Sequence, residues 1–335
     1  MPDIFGSLSS SAHQRLVKSA QPTWLDPMLA TLTDRYFSDD DWIYERKLDG
    51  ERCLVFRSGS VLRLMSRNQK KLNIHYPDLE QQLSALEPQH FIIDGEIVAF
   101  RGEQTSFSLL QQRMQVQDKE AALASDIKVY YYIFDLLYFE GYDTTQLSQR
   151  DRKTLLQHAL EYTGQLCYVE HRNKEGVDYF KEACKLGWEG VIAKDARSPY
   201  IHGRSRNWLK FKCINEQELV IAGFTDPHGK RIGFGALLLG YYEGGTLRYA
   251  GKVGTGFDEK TLRQLHDKLV ALEQDSPAFE SVDVPSAEVH WVKPELVAEI
   301  GFEEWTKNNL LRQPRFLGMR DDKSAADVVK ETPEE

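Results

Sequence analysis

The chain has 335 residues, of which 41% are hydrophobic, and its formal net charge at pH 7 is -9. This length is more than one compact core usually holds, so we predict two domains, and the composition excludes general disorder. The negative charge argues against a protein that coats nucleic acid indiscriminately, although it is compatible with a local basic groove.

The sequence gives no sign of export or of a membrane segment. No apolar run approaches membrane-spanning length, and the N-terminus lacks a basic region followed by an apolar one. The cysteines Cys53, Cys167, Cys184 and Cys213 are far apart and form no CxxC pair. We therefore expect a cytoplasmic protein with free thiols, since the cytoplasm is reducing.

The first two thirds of the chain mix strands and helices without strict alternation. A polar leader is predicted over residues 1–23, and the folded part is expected to begin at Trp24. Strands are predicted at 42–46, 53–56, 61–65, 91–100 and 129–137. Helices are predicted at 107–124, 151–162 and 177–186. This order indicates an α+β domain with antiparallel sheets over residues 24–214.

The character of the chain changes at about residue 215. A hairpin of residues 236–242 and 246–250 turns at Glu243-Gly244-Gly245, and one amphipathic helix is predicted over 258–273. Short strands with a single helix suit a small β-barrel such as an OB-fold over residues 215–323. Residues 324–335 are predicted to be a disordered tail.

Several charged residues are embedded in apolar strands, where charge is unfavourable unless it is paired or binds a ligand. Glu96 lies in an apolar run, and Glu189 opens the segment EGVIAK. Lys210 and Lys212 alternate in WLKFK, so both ammonium groups face one side of a strand. Each charge alone could be an edge-strand charge or a member of an ion pair.

The hexapeptide KLDGER, residues 47–52, follows a strand-like segment. Gly50 lets the backbone turn, the Arg52 guanidinium fits a phosphate, and neighbouring cations can make the Lys47 amine nucleophilic. Taken alone, the hexapeptide could equally be a charged hairpin tip. The embedded carboxylates suit Mg²⁺, and the embedded cations suit a polyphosphate, so the whole set indicates nucleotidyl transfer through a covalent lysine adduct.

The ordered series KLDGER, SRNQK, DGE, YIFDLL, EGVIAK and WLKFK resembles the motif set of the covalent nucleotidyltransferases, specifically of ATP-dependent DNA ligases. The segments TDP, GFGALLLG, GKVGTGF and RQPRFLGMRDDK look like the OB domain of bacterial ligases. The resemblance covers about residues 24–323. It implies an ATP-grasp-like adenylation domain with antiparallel sheets and flanking helices, followed by a C-terminal β-barrel OB-fold, as in the ligase module of bacterial end-joining ligases and their stand-alone relatives.

The resemblance also implies roles for residues around the nucleotide. Lys47 would be the adenylated nucleophile, and Glu45 would read the adenine amino group. Phe134 would stack on the base, although a core role for this ring is left open. Arg52 and Arg67 would hold the ribose and later the 5′-phosphate of a nick.

Further residues of the motifs would bind the metal and the phosphates. Glu96 and Glu189 would bind Mg²⁺, for which Mn²⁺ can substitute. Lys210 and Lys212 would engage the α-phosphate, and Lys194 belongs to the same nucleotide site.

The end of the second domain carries an RxDK-type motif. By the resemblance, Arg320, Asp322 and Lys323 would orient the leaving pyrophosphate when this domain closes on ATP, unless they are only a charged domain terminus. Asp49 is expected to orient Lys47 and Arg52. Arg204 and Arg206 are candidates for phosphate contact, and Asp94 and Asp135 are interpreted as structural.

The function that the resemblance implies is the sealing of 5′-phosphate/3′-hydroxyl nicks in duplex DNA through lysyl-AMP and AMP-DNA intermediates. An RNA ligase, a capping-type nucleotidyltransferase and a non-catalytic DNA-end-binding module are the alternatives. ATP would be the cofactor, nicked double-stranded DNA the substrate, and a DNA-end-binding protein a candidate partner. We expect a monomer that is associated with the nucleoid and not with a membrane.

Overall fold

The computed structural model describes residues 4–229, 231–279 and 289–332. The chain divides into two compact units between Cys213 and Ile214, where the sequence suggested a boundary between residues 214 and 215. The second unit is Ile214–Thr332. Each unit buries its own hydrophobic core, so each is described by itself.

The first unit combines strands and short helices. Its strands are β1 (Val17–Lys18), β2 (Leu29–Leu32), β3 (Trp42–Lys47), β4 (Glu51–Ser58), β5 (Val61–Ser66), β6 (His90–Arg101), β7 (Gln104–Thr105), β8 (Val129–Phe139), β9 (Tyr142–Asp143), β10 (Leu166–Tyr168), β11 (His171–Asn173), β12 (Gly190–Asp195) and β13 (Arg204–Lys212). Its helices are α1 (Ser10–His13), α2 (Pro77–Ala85), α3 (Phe107–Met114), α4 (Lys119–Leu123), α5 (Gln149–Ala159) and α6 (Gly176–Lys185). Every strand predicted here is confirmed, because each lies inside an observed one.

The strands of the first unit form two sheets. In the larger one, sheet A, the strand order is β1-β9-β8-β6-β4-β5, with β7 beside β6 and β10 beside β8. In the other, sheet B, the order is β11-β3-β12-β13-β2. The pairs β8–β10 and β2–β13 are parallel. The long ladders β4–β6 and β6–β8 are antiparallel, as predicted.

Sheet A is buried on both faces because alternate side chains of its central strands pack against different layers. On β4, Cys53 and Val55 belong to a core shared with the helices. Leu54 and Phe56 point the opposite way, into a cluster that includes Trp208 of sheet B. One face of sheet A therefore meets sheet B, and the other is covered by helices.

The N-terminal segment is part of the first core. Residues Ile4–Ser7 form a 3-10 turn, Leu8 and Ala12 are buried in the helical core of sheet A, and β1 pairs with β9. The expectation that the folded part of the chain starts at Trp24 is wrong. Too few apolar residues precede Trp24 to show a hydrophobic periodicity in the sequence. Residues 1–3 of the predicted leader lie outside the described residues.

The single helix predicted over 107–124 is wrong, because the structure has α3 and α4 there. Each begins at its own cap: Ser106 Oγ accepts from the Leu109 amide at 3.4 Å, and Asp118 Oδ1 accepts from the Ala121 amide at 2.8 Å. Asp118 starts a new helix because its carboxylate satisfies an amide that would otherwise lack a helical partner.

The second unit is a sheet with one long helix packed on it. Its described elements are β14 (Asn215–Thr225), β15 (Leu237–Glu243), β16 (Thr246–Val253), α7 (Glu259–Val270), β17 (Val289–Phe302) and β18 (Arg315–Met319). The strand order is β16-β15-β14-β17-β18. Leu262, Leu265 and Leu269 of α7 are buried in its core, as a helix with one apolar face requires.

The predicted barrel is not closed by a ladder in the part of the second unit that the structure describes. Each edge strand instead bonds to a residue that flanks the other: Leu311, which precedes β18, donates to the carbonyl of Ala250 in β16 at 2.8 Å, and Phe316 in β18 donates to the carbonyl of Thr255, which follows β16, at 2.9 Å. Closure by a full ladder depends on strand tilt and stagger, which a hydrophobic pattern does not encode.

Residues 324–332 are ordered, so the prediction of a disordered tail is wrong for them. Ala325–Asp327 form a 3-10 turn, Val328 is buried, and its carbonyl accepts from the Tyr242 amide at 2.7 Å. Gln217 Nε2 donates to the carbonyl of Val329 at 2.8 Å. Residues 333–335 of the predicted tail lie outside the described residues.

Cys184 and Cys213 form a disulfide with a Cα–Cα distance of 5.2 Å, so the expectation of free thiols is wrong for this pair. Their separation of 29 residues hid the contact in the sequence. Cys213 lies just beyond β13, where its amide donates to the carbonyl of Glu189 at 3.0 Å, close to the end of α6. Cys53 and Cys167 are free. The described residues include no helix with the length and apolar character needed to cross a membrane.

The disulfide predicts a specific alkylation pattern. Iodoacetamide added to denatured, unreduced protein should modify Cys53 and Cys167, whereas prior reduction should expose Cys184 and Cys213 as well, because a disulfide sulfur is not alkylated. Intact mass and peptide mapping would count the modifications. Cys53→Ser is the control and should lose one modification in both samples. Alkylation of Cys184 without reductant would contradict the assignment.

Candidate active site

Strand β3 presents Glu45 and Lys47 on one face of sheet B. Side chains alternate along a strand, so Tyr44 and Arg46 face the other side. Tyr44 is fully buried there, in an apolar cluster between sheet B and α6. This buried layer fixes which face of β3 carries the charges, because moving the register by one residue would expose the apolar side chain and bury the lysine.

The neighbouring strands continue this face with further cations. Two rows of Cα partners cross β3, β12 and β13: Glu45–Ile192–Lys210 and Lys47–Gly190–Lys212. Because side chains in one row point to the same side of a sheet, Lys210 and Lys212 share the face of Lys47. The structure therefore brings together the lysines that the sequence motifs place far apart in the chain.

Lys47 forms an ion pair with Glu189, and both side chains are mostly buried. Glu189 precedes Gly190, where φ is +153° and where a Cβ atom would overlap the carbonyl oxygen of Phe211. Only glycine fits this position, so β12 can begin directly beside Lys47. The local backbone thus places a carboxylate against the candidate nucleophile.

Gly50 has a different role from the one predicted. A Cβ atom at this position would overlap the carbonyl oxygen of Ile97 and lie 2.7 Å from Cγ1 of Val98. The glycine is required because the segment between β3 and β4 passes directly against β6. This close approach also brings the hexapeptide next to Glu96, whose Cγ would lie 3.0 Å from the same Cβ.

Arg52 is held by an ion pair with Asp94, a residue that the sequence indicated only as structural. Its Nε and Nη2 donate to the two oxygens of Asp94 at 2.5 and 2.6 Å, and the Tyr200 hydroxyl donates to Asp94 at 2.6 Å. Burial alone would lower the pKa of the Arg52 guanidinium, but the adjacent Asp94 carboxylate raises it above its ordinary value. Arg52 is therefore a fixed, permanently charged group at the edge of the site.

Phe134 is almost fully buried among cations. The Arg52 guanidinium lies 4.6 Å and the Lys194 ammonium 4.4 Å from its ring centroid, and Trp208 packs against it edge to face at 6.0 Å. These contacts are favourable because the face of an aromatic ring attracts positive charge. Base stacking by Phe134 stays a prediction, and a base on that ring would have to share it with a cation.

Glu45 is buried between two lysines, Lys153 at 2.9 Å from Oε1 and Lys194 at 2.6 Å from Oε2. Burial by itself would raise the pKa of this carboxyl group, but the two ammonium groups lower it below its ordinary value. Burial also lowers the pKa of Lys194. Lys153 was not recognised from the sequence.

Helix α5 explains what the sequence reasoning missed. Arg152 donates from Nε and Nη2 to Asp135 at 2.7 and 3.0 Å, and Gln149 Oε1 accepts from Trp208 Nε1 at 2.8 Å. Gln149, Arg152 and Lys153 are fully or almost fully buried on one helix. Three polar residues at spacings of three and four, facing an apolar core, are a signal that could have been found.

Glu96 and Arg67 lie at the same end of sheet A as Arg52. Glu96 is the Cα partner of Arg52 across β4 and β6. Arg67 follows Ser66, the partner of Cys53, in a tight turn closed by a hydrogen bond from the Ser66 amide to the Lys70 carbonyl at 2.9 Å. The predicted phosphate and metal residues of the first unit therefore gather around the segment 47–52.

The fit of a metal rests on Glu96 and Glu189. Within the residues that the structure describes, no group of three or more His, Cys, Asp or Glu side chains could hold a metal ion by itself. Two carboxylates nevertheless fit Mg²⁺, which takes oxygen ligands and completes its shell with water and substrate phosphates. The residues present thus match a metal that binds together with a nucleotide.

The predicted motif of the second unit is a compact ionic network. Arg320 donates from Nε and Nη2 to Asp322, both at 2.9 Å, and from Nη1 to Glu299 at 3.1 Å. The ammonium of Lys323 lies 3.0 Å from Glu218. Burial alone would raise the pKa of Asp322, but Arg320 lowers it below its ordinary value. Arg320 and Lys323 are therefore held by carboxylates of β17 and β14, and Asp322 is held by Arg320.

Two family models match the chain in the order of its two units. One, described as the ATP dependent DNA ligase domain, matches residues 27–212, and the other, described as the ATP dependent DNA ligase C terminal region, matches residues 230–323. The chain belongs to the ATP-dependent DNA ligase family. Membership confirms the predicted α+β fold, an adenylation domain followed by an OB-fold domain, with the correction that the described strands do not close a barrel.

Relatives of this ligase-family chain include larger proteins. It is 36% identical over 325 residues to the multifunctional non-homologous end joining protein LigD of Pseudomonas aeruginosa, covering 94% of this chain and 38% of that protein. It is 32% identical over 322 residues to a DNA ligase of Pyrobaculum calidifontis, covering 86% of this chain and 55% of that protein. The chain thus spans about two fifths of the length of the LigD relatives.

A solved structure, that of a mycobacterial DNA ligase D complexed with ATP and MES, is similar over most of this ligase-family chain. The TM-score is 0.65 and the sequence identity 35%, and the match covers 92% of this chain and 98% of the other. The likeness therefore extends over both units.

We predict that Asp94→Asn destabilises the first unit by about 3–5 kcal/mol, because it leaves a mostly buried guanidinium without its carboxylate. Denaturant unfolding would measure the change in the free energy of unfolding. The control is Asp40→Asn, which breaks an exposed pair with Lys174 and should change stability by about 0.5 kcal/mol or less. Equal losses in the two variants would show that Asp94 does not anchor Arg52.

We also predict a pH-dependent contribution from Asp322. Its pKa is lower in the folded than in the unfolded state, so its contribution to stability is present above the unfolded value of 3.8 and is lost as the pH falls through the folded value. Asp322→Asn should therefore reduce the free energy of unfolding at pH 7 more than at pH 3. The exposed neighbour Asp321 provides the control variant Asp321→Asn. A stability difference that does not change with pH would contradict this assignment.

Proposed function

We propose that this chain is an ATP-dependent DNA ligase that seals nicks between a 5′-phosphate and a 3′-hydroxyl in duplex DNA. The single observation that carries the proposal is the placement of Lys47 at the end of β3, against Glu189 and in register with Lys212. A lysine held beside a carboxylate and a row of cations suits attack on a phosphate. Family membership supports the same reaction class.

In the first step, the neutral amine of Lys47 attacks the α-phosphorus of ATP. A nitrogen–phosphorus bond forms, the bond to the β-phosphate oxygen breaks, pyrophosphate leaves with its electron pair, and the nitrogen releases its extra proton to solvent, which gives the lysyl-AMP phosphoramidate. Lys210 and Lys212 share the face of the attacking amine, where they can stabilise the charge that develops on the phosphate oxygens. Neighbouring cations favour the neutral form of an amine, whereas the paired Glu189 favours the ammonium, so Lys47 must give up a proton before it attacks, and the Glu189 carboxylate can accept that proton.

Glu96 and Glu189 would hold Mg²⁺ with the nucleotide. When bound, the metal would neutralise phosphate charge and help to orient the leaving group. Glu189 contacts Lys47 directly, so it would couple metal binding to the nucleophile. In the second unit, Arg320 and Lys323 would supply cations for the leaving pyrophosphate.

In the second step, the 5′-phosphate of the nick attacks the phosphorus of the lysyl-AMP, and Lys47 is released as AMP-DNA forms. In the third, the 3′-hydroxyl attacks the activated 5′-phosphate, which seals the strand and releases AMP. Arg52 and Arg67 would position the 5′-phosphate, since a guanidinium is a permanently charged donor. In Arg52, Nε and Nη2 already donate to Asp94 and Met28, so Nη1 would make this contact. Asp94 keeps the Arg52 side chain in place for this contact.

The relatives named for non-homologous end joining suggest a broken duplex as the substrate in the cell, with a DNA-end-binding protein as a candidate partner. An RNA ligase or a capping-type enzyme would use the same lysine chemistry. Nucleotide and polynucleotide preference separate these alternatives, so both belong in the test.

We predict that the wild-type chain forms a covalent adduct with label from α-labelled ATP and that Lys47→Ala forms none, since no other group replaces the attacking amine. Intact mass and denaturing gels would measure the adduct. Lys18→Ala, at an exposed lysine of β1, is the matched control and should be labelled normally. Chelation of divalent metal should abolish labelling, and added Mg²⁺ should restore it.

The substrate is tested with the adenylated enzyme on nicked DNA, nicked RNA, cohesive DNA ends and blunt DNA ends. Sealing of nicked DNA is expected. A preference for GTP in the first step or for nicked RNA in the last would favour one of the alternatives, and labelling of Lys47→Ala would refute the nucleophile assignment.

A further inference from the structure

Buried side chains of helix α5 contact residues of the candidate nucleotide site. Three of these side chains each hold a residue of the strands around this site: Gln149 holds Trp208, Arg152 holds Asp135, and Lys153 holds Glu45. These three α5 residues are at most 1% exposed. Polar side chains at this depth are retained only where they have partners, so the function of this face is to fix the wall of the site.

Lys153 differs from the other lysine on Glu45. Its Nζ donates to the carbonyl of Val169 at 2.6 Å and lies 4.1 Å from the ring centroid of Tyr168. Lys194 instead lies against the rings of Phe134 and Trp208. Lys153 is therefore anchored by Val169 and Tyr168 and contacts the candidate site through Glu45.

The surroundings of Glu45 make it an ionised acceptor. Burial would favour the neutral acid, but Lys153 and Lys194 outweigh burial and lower the carboxyl pKa. Tyr168, His171 and Tyr179 also act electrostatically with Glu45. An ionised carboxylate accepts hydrogen bonds only, and each of its two oxygens has two lone pairs, so acceptor capacity remains beside the two lysines.

Adenine and guanine differ at the 6-position of the purine ring, with which such an acceptor would form a hydrogen bond. Adenine carries an amino donor at its 6-position, and guanine carries a carbonyl acceptor there. An acceptor-only carboxylate would bind the first and repel the second, whereas a neutral carboxyl group could also donate and would tolerate both. Selection between the bases therefore depends on the charge state of Glu45.

We propose that Lys153 is a positioning residue for nucleotide selectivity, which holds the Glu45 carboxylate ionised and oriented so that the site accepts a nucleoside triphosphate with a 6-amino group. The inference rests on the proposed function and on the recognition of the adenine amino group by Glu45, which the resemblance to the ligase family implies. It assigns to α5, far along the chain from the nucleophile, a part in choosing the substrate of the first step.

The test compares wild type, Lys153→Gln, Lys153→Arg and Arg113→Gln. The kcat/KM of adduct formation is measured with ATP, GTP and purine riboside triphosphate, which lacks the 6-amino group. Lys153→Gln keeps a donor for Val169 but loses the charge. Its preference for ATP over purine riboside triphosphate should fall by about tenfold or more, the value of a hydrogen bond to a charged group.

The controls separate positioning from stability. Lys153→Arg keeps the charge and should retain selectivity within about threefold, since the ion pair is preserved. Arg113→Gln removes another buried cation, the partner of Asp78, and should leave selectivity unchanged. In Lys153→Gln the acid limb of the pH–rate profile with ATP should also move to higher pH, because one lysine alone lowers the pKa of Glu45 less.

Unchanged selectivity in an active Lys153→Gln would overturn the inference, as would an equal loss in Arg113→Gln. If Lys153→Gln does not fold, the double variant Glu45→Gln/Lys153→Gln, which removes both charges together, decides the matter. A positioning role requires the double variant to match Glu45→Gln alone, and a further tenfold loss would overturn it. Failure of wild type to form any adduct would contradict the proposed function itself, so the two failures are distinguishable.

Discussion

Compensation of buried charge is the constraint on which the first unit depends. Arg52 is held by Asp94 and Arg152 by Asp135, and Glu45 lies between two ammonium groups. An uncompensated charge at this depth would be strongly unfavourable, so each partner fixes the position of the other. Because these partners come from both sheets and from α5, the ionic contacts hold sheet A, sheet B and the helix in one arrangement around the site.

The register of sheet B turns this arrangement into a reactive surface. The apolar layer between sheet B and α6 determines that Glu45 and Lys47 face sheet A, and the ladders to β12 and β13 add Lys210 and Lys212 to the same face. A slip of one residue would reverse every side chain of a strand. The packing of a purely apolar cluster therefore decides where the charged groups of the proposed reaction lie.

The sequence predicted the motif residues better than the residues that hold them in place. Lys47 was recognised from its hexapeptide, because the combination of side chains already suggests phosphate chemistry. Asp94 was interpreted as structural and Lys153 was not noticed, since each acts through a partner that is remote in the chain. The Cys184–Cys213 disulfide was missed for the same reason. Contacts between distant segments leave no periodic signal in a single sequence.

The sequence by itself determined the fold class, the order of the two units, the main strands and the candidate nucleophile, because hydrophobic periodicity and local motifs are properties of neighbouring residues. Only the tertiary structure decided which carboxylate meets Lys47, that Gly50 is needed for close approach to β6, and that Glu45 is compensated from α5. These depend on which segments pack together in space, and that is set by the summed burial of both cores and not by any local pattern.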